Sequence, residues 1–260
     1  MIAVSVAGIG LLGPGLPDWA SGRALLSEPA DWRFTPTALP SPMRLPPAER
    51  RRAGAIVKVS LAVADQACAQ AGVDPARLAT VFTASSGDAG NCHALCESLA
   101  TPERAVSPTR FTNSVHNAAA GYWHIATVSR APSTSLCAHD ASFGAGLLEA
   151  AAQCVAQARP VLLVAADVPY PEPLHSARPL PDVFGVALLL TPASDAAPRL
   201  RISLAEAAPG TCGHDGLDAL MRQVPAARSL PLLQALARGA STRRVIDYLD
   251  PLGLAVELQA

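Results

Sequence analysis

The sequence predicts an α/β layered protein built on a mainly parallel, mixed sheet flanked by helices. Three observations predict it. Short apolar runs of strand length alternate with longer stretches whose apolar residues recur at helical spacing. Across 260 residues, 50% of the side chains are hydrophobic and 16% are charged, enough for a sizeable buried core. No apolar run approaches the roughly 20 residues that a membrane-spanning helix needs, so the apolar segments are expected to pack on one another.

Taken in order, residues 2–9 read as a buried first strand, ended by the turn Gly10-Leu11-Leu12-Gly13-Pro14-Gly15. Residues 17–50 are rich in proline, carry Trp19 and Trp32 and show no sustained period, which points to an ordered surface excursion. Residues 53–71 form the strongest helical pattern. Ile56, Val57, Leu61, Ala64, Ala67 and Cys68 share one stripe with Ser60, and Gly72 stands where helices end. A buried strand at 78–84 leads into the polar turn Ser85-Ser86-Gly87-Asp88, which reads as the cap of a helix near 91–99. Further helices are expected at 118–128 and 141–158, and strands at 133–138, 160–166, 183–190 and 200–205. The tail, with Asp250-Pro251-Leu252-Gly253 between two β-rich runs, reads as a terminal hairpin. A break near 223–229 is expected to separate an α/β body, residues 1–222, from a helix plus hairpin, residues 223–260, packing on it.

Charge excludes some functions. A net charge of −1 gives no electrostatic footprint for nucleic acid or an anionic membrane. The N-terminus lacks the basic flank of a signal peptide, which places the chain in the cytoplasm. There the cysteines Cys68, Cys92, Cys96, Cys137, Cys154 and Cys212 are expected to be reduced core residues. Cys92 and Cys96 would share a helix face beside His93. Structural zinc needs four ligands, and no second pair has suitable spacing, so neither a metal nor a cofactor is expected.

The informative region is 117–150. It holds Asn117-Ala118-Ala119-Ala120-Gly121, then Ala131-Pro132-Ser133-Thr134-Ser135-Leu136-Cys137-Ala138-His139-Asp140, then Ala141-Ser142-Phe143-Gly144 opening a long apolar helix. This resembles the nucleophile region of β-ketoacyl synthases, where an Asn-x-x-Ala-Gly helix start precedes a Gly-Pro-Ser strand ending in Ala-Cys-x-Ser-Gly. Asn117, Ala120, Gly121, Pro132, Ser133, Ser135 and Ser142 fall on matching positions without gaps. Asp140 falls on the nucleophilic cysteine, and Cys137 lies three residues earlier. Residues 4–15, 161–168 and 184–190 resemble other strands of that family. The resemblance covers about residues 1–200, and is strongest to a truncated ketosynthase-like group found beside type II synthases, including those that make aryl polyene pigments. It implies half of a thiolase-like fold, without the histidine pair that the second half of a ketosynthase supplies.

In a ketosynthase, the thiolate at the N-terminus of a buried helix accepts the acyl group. An aspartate there is expected either to cap the first N–H groups of the helix or, with a raised pKa, to serve as general acid or base with His139 or His116 nearby. Cys137 reads as a small apolar side chain in a buried strand or as an alternative nucleophile. His116 and His139 read as loop support or as site residues. Ser85 sits in no nucleophile elbow.

The resemblance implies a non-condensing, chain-length-factor-like pseudoenzyme in type II fatty acid, polyketide or aryl polyene biosynthesis. Its partners would be a ketosynthase subunit and an acyl carrier protein, and it would form a homo- or heterodimer through the strand near 133–137. The competing readings are an acyl-thioester hydrolase, transferase or decarboxylase using Asp140, His139, His116 or Cys137, and a non-catalytic acyl-binding module. The 141–158 helix is apolar on most of its surface and must be covered on both sides: by residues after 199, by another copy, or by a ketosynthase subunit.

Overall fold

The computed structural model describes residues 1–259. In chain order the elements are β1 (Ile2–Leu12), α1 (Trp19–Ser27), α2 (Pro47–Arg52), α3 (Ala55–Ala71), β2 (Ala79–Thr83), α4 (Ala89–Ala100), α5 (Pro108–Thr112), α6 (Ala118–Thr127), β3 (Ser133–Leu136), α7 (Ser142–Gln157), β4 (Val161–Asp167), α8 (Leu174–Ala177), β5 (Phe184–Pro192), β6 (Arg199–Ala205), α9 (Asp215–Gln223), α10 (Leu230–Arg238), β7 (Thr242–Asp247) and β8 (Gly253–Gln259). Single 3₁₀ turns at Pro29–Asp31, Pro75–Arg77, His139–Ala141 and Pro225–Ser229 join some of them.

The α/β class and the flanking helices are as the sequence predicts, and the tail is a hairpin, β7 paired with β8. The mainly parallel order is corrected. Among the described residues, one eight-stranded sheet runs β3-β2-β4-β5-β1-β6-β8-β7. Only β2·β3 and β2·β4 are parallel, and every other neighbouring pair is antiparallel. The reason lies in the connections. Parallel strands need a crossover covered by a helix: α4 and α6 lie in the connection from β2 to β3, and α7, sixteen residues long, in the one from β3 across β2 to β4. Between β4 and β5 stands only the four-residue α8, so β5 returns antiparallel. The chain then steps across β1: β5 pairs with residues 4–12 of β1 and β6 with residues 2–5, both antiparallel.

Two apolar layers sandwich the sheet. On one face lie α3 and α6, with Ile56, Val59, Val63 and Trp123 buried. On the other lie α7, α1, α9 and α10, with Phe143, Leu147, Leu220 and Leu233. The approach of α3 to β1 is close: a Cβ on Gly10 would come within 1.9 Å of the Val63 carbonyl oxygen. At its C-terminus α3 closes on Gly72 in the left-handed region, φ +64°.

The excursion over 17–50 is ordered, yet it contains α1, which the lack of a sustained period concealed. Trp19, Gly22 and Leu26 are its buried face, and Asp18 Oδ1 accepts from the Ser21 N–H at 2.7 Å as N-cap. A nine-residue helix offers too few turns to show a period. The outer edge of β1 beyond its contact with β6 is closed by side chains of α3. Gln70 Oε1 accepts from Ile9 N at 2.7 Å, and Gln66 Oε1 from Leu11 N at 2.9 Å. No strand pattern in the sequence announces that arrangement.

The cover over α7 comes from within the chain, from the residues after 199. The 225–229 turn packs on α7, and a Cβ on Gly144 would meet the Asp247 carbonyl oxygen at 2.2 Å. Phe143, Leu147, Ala151 and Cys154 are fully enclosed, while Val155 remains exposed.

Candidate functional site

The site lies at the head of α7, where β2, β3 and β4 end. Its foundation is Asp167, the last residue of β4, which is buried. Its Oδ1 accepts from the Ser85 N–H at 2.8 Å and the Ser85 hydroxyl at 2.6 Å. Its Oδ2 accepts from the Ala226 N–H at 2.7 Å. One carboxylate thus ties the loop after β2 to the 225–229 turn. Burial pushes the Asp167 carboxyl above its usual range, opposed by the hydrogen bonds from Ser85 and Ala226 and by Arg178. Ser85 Oγ also lies 3.0 Å from the Tyr170 hydroxyl, and the Arg178 guanidinium stacks over the Tyr170 ring, 5.8 Å from its centroid.

On this foundation stand two arginines. Arg178 Nη2 donates to Asp140 Oδ1. Arg228, carried by the 225–229 turn, reaches Asp140 Oδ2 with Nη2 at 3.0 Å and Asp247 Oδ1 with Nη1 at 3.5 Å. Burial raises the Asp247 carboxyl, with Arg228 opposing and Asp140 reinforcing the rise. His139 Nδ1 is 3.7 Å from Asp140 Oδ1. Its backbone is in the left-handed region, φ +50°, and its ring is exposed.

Asp140 therefore does not cap α7, which corrects one sequence expectation. It sits inside the 3₁₀ turn His139–Ala141, and the N-terminus of α7 has no side-chain cap. The turn swings the carboxylate away from the helix amides and onto the two guanidiniums, which offer charge-assisted bonds. The helix head is knit by Ser142 instead. Its Oγ accepts from the Ala138 N–H at 3.0 Å and donates to the His139 carbonyl at 2.7 Å, and Thr83 Oγ1 donates to the Ser142 carbonyl at 2.9 Å.

Cys137 requires a second correction. It lies beyond the end of β3 and is exposed, not inside a buried strand. The cause is topological: β3 is the last strand of the sheet, so its residues are covered on one edge only. Partial desolvation raises the Cys137 thiol, and Asp167 adds to the rise, opposed by a hydrogen bond from the Ala84 backbone; a raised thiol is a poor nucleophile. Cys92 and Cys96 share the face of α4, as the spacing predicts, but both are exposed. The core reading holds for Cys68, Cys154 and Cys212. His116 is exposed, with Nε2 3.4 Å from the Ser135 carbonyl of β3, so it supports the edge strand. Asp88 caps α4 by accepting from the Asn91 N–H at 2.9 Å, as read from the sequence.

Of the four candidates, the structure pairs Asp140 with His139 and sets His116 against β3. Sequence reasoning missed Arg178, Arg228, Asp247 and Asp167. The signal available was faint: the lone buried-strand aspartate at Asp167, and Arg228 in a segment otherwise apolar.

Comparison with known proteins bears on this geometry. The family model described as β-ketoacyl synthase, N-terminal domain, matches residues 26–247. Among solved structures, the chain is similar to the ketosynthase ApeO in complex with its chain length factor ApeC from Xenorhabdus doucetiae, at 22% identity and TM-score 0.76, covering 99% of this chain and 100% of that one. It is similar to the ishigamide ketosynthase/chain length factor at 15% identity and TM-score 0.73, covering 99% of each. A third match is a type II polyketide synthase acyl carrier protein in complex with its ketosynthase bound to the hexaketide, at 13% identity and TM-score 0.75, covering 100% and 99%. These likenesses show a common fold. No curated protein matches the chain.

Proposed function

Because the chain belongs to the family of β-ketoacyl synthase N-terminal domains, we propose that it is a non-condensing, chain-length-factor-like partner of a ketosynthase in type II fatty acid, polyketide or aryl polyene biosynthesis. The observation that carries the reading is the state of Asp140. It stands where the resemblance puts the nucleophilic cysteine, and each of its carboxylate oxygens is held by a guanidinium. A carboxylate so engaged neither attacks a thioester nor stands free to take a proton from one. The arrangement suits a structural plug at the mouth of an old active site.

The surface around β3 supports a partner. Among the described residues no strand pairs with its outer edge, and an open strand edge is a template for pairing with another chain. Close by, joined through His116 to Ser135, α5 exposes Phe111 at 68% and the segment after it Val115 at 50% of their areas. We assign this face to the ketosynthase subunit, with the acyl carrier protein bringing substrate to the complex. The proposed setting is the cytoplasm; among the described residues no helix is long and apolar enough to cross a membrane.

The test is co-expression with a complete type II ketosynthase and its carrier protein. The expected result is a one-to-one complex that elongates acyl chains and loses product-length control when this subunit is left out. Isolated chain should show no turnover of acyl carrier thioesters. A chain that stays alone in the presence of both proteins refutes the reading. Thioester turnover by the isolated chain, abolished in Asp140→Asn, establishes the enzymatic alternative in its place.

A further inference from the structure

A second site lies away from the α7 head, between the loop before α9, the end of α10 and the start of β7. It is a cavity of about 510 Å³, lined among others by Thr211, Cys212, His214, Gln234, Arg238 and Arg244. No aspartate or glutamate belongs to its lining. Two guanidiniums share it, and among the described residues neither has a carboxylate within ion-pair distance, unlike Arg178 and Arg228.

Each guanidinium is fixed along one edge and open along another. Arg238 Nε donates to the Ser27 carbonyl at 3.0 Å. Arg244 Nη1 donates to Thr242 Oγ1 at 3.0 Å and to the Arg243 carbonyl at 3.2 Å. Arginine carries five N–H donors in a planar fork, so each retains donors for a further acceptor. Burial and Asp218 push the buried Cys212 thiol up to about 12, with Arg238 and Arg244 opposing the rise.

The rest of the lining is held rigid. Gln234 Nε2 donates to the Cys212 carbonyl at 3.0 Å, and the Cys212 N–H donates to Asp218 Oδ1 at 2.7 Å. His214 Nδ1 accepts from the Leu217 N–H at 3.4 Å, so its neutral ring carries the proton on Nε2 and offers a further donor there. Its ring packs edge-on against Trp32, centroids 5.5 Å apart. Asp218 supplies one negative charge against two positive ones, so the site keeps an excess of positive charge.

We propose that this cavity binds a doubly charged phosphoryl group between Arg238 and Arg244. Planar guanidiniums match the geometry of phosphate oxygens and hold them by paired, charge-assisted hydrogen bonds. The volume lies within the range of small-molecule sites, so the group can be free phosphate or the headgroup of a small phosphate ester. The proposal is independent of the ketosynthase partnership.

Isothermal titration of the full chain with inorganic phosphate, against sodium chloride at equal ionic strength, tests it. The expected result is a saturable heat with phosphate and none with chloride. Arg244→Gln should weaken binding about tenfold or more, since a hydrogen bond to a charged group is lost. Arg238→Gln should do the same, and Arg201→Gln, on the exposed face of β6, should change nothing. Glycerol phosphate distinguishes the sources: tighter binding than phosphate identifies an ester ligand, weaker binding the free ion. Should Arg238→Gln unfold the protein by freeing the end of α1, the wild-type titration and Arg244→Gln still decide. Heats equal to those of chloride, or an unchanged affinity in Arg244→Gln, overturn the proposal.

Discussion

Replacing Arg228 with methionine removes the charge that joins Asp140 to Asp247 while keeping most of the buried stem. The magnitude follows from exposure. Fully exposed ion pairs contribute roughly 0.2–1 kcal/mol, and breaking a buried pair costs about 3–5 kcal/mol. Arg228 keeps 16% of its side-chain area in solvent, Asp247 29% and Asp140 44%. These values lie between the two limits, and Asp140 keeps Arg178 after the change. The expected loss is therefore about 2 kcal/mol near neutral pH, or a fall in Tm of about 4–8 °C. The loss should depend on pH. Asp247 has a raised pKa in the folded state, so the folded chain binds its proton at a pH where the unfolded chain does not. Stability contributed at this group therefore falls as pH rises from the unfolded carboxylate value, about 3.9, through the raised folded value. Arg228 opposes that loss by stabilising the charged form. Without it the folded pKa rises further, so the penalty is largest above this window and shrinks as acid protonates Asp247. Urea denaturation of wild type and Arg228→Met at neutral pH and at about pH 4 measures both effects. Repeating it in an Asp247→Asn background should reduce the penalty substantially. A loss below about 0.5 kcal/mol, or one that is the same at both pH values and in both backgrounds, would refute the reasoning.

Two further outcomes are expected. Gly144→Ala should destabilise by about 1–3 kcal/mol, measured by the same denaturation, because the added Cβ meets the Asp247 carbonyl at 2.2 Å and forces α7 away from the hairpin; wild-type stability in this variant would mean that α7 is not covered by β7. Native protein should react with a thiol reagent at Cys92, Cys96 and Cys137, which are exposed, and leave Cys68, Cys154 and Cys212 untouched until it unfolds. Burial holds those three up to about 12, 11 and 12, so raising the pH to about 9 should not expose them as thiolates; six equally reactive thiols would contradict the packing described.

Much of the fold was legible because its signals are local. The stripe from Ile56 to Cys68 identifies α3, Gly72 its end, and Asp88 the cap of α4, each from residues within a few positions of one another. Where the local signal is short, it failed: α1 has too few turns to show its period, and β3 gave no sign of being an edge strand. The candidate site divided in the same way. Asp140 was found by its place in a motif, but its partners were not, because nothing near Arg178 or Arg228 in sequence marks them as its neighbours.

By itself, the sequence determined the order of the strands and of the longer helices α3, α4, α6 and α7, the apolar character of α7, and the replacement of a cysteine by Asp140 at its head. Periodicity and motif are properties of neighbouring residues, and neighbouring residues suffice to read them. Only the tertiary structure decided that the sheet is largely antiparallel, that the hairpin covers α7, and that Asp140 faces two arginines instead of the helix amides. Those outcomes depend on which distant segments meet. Asp167 decides one such meeting by binding Ser85 and Ala226 at once, and a carboxylate's choice between a helix end and a guanidinium is made only after the chain has brought both within reach.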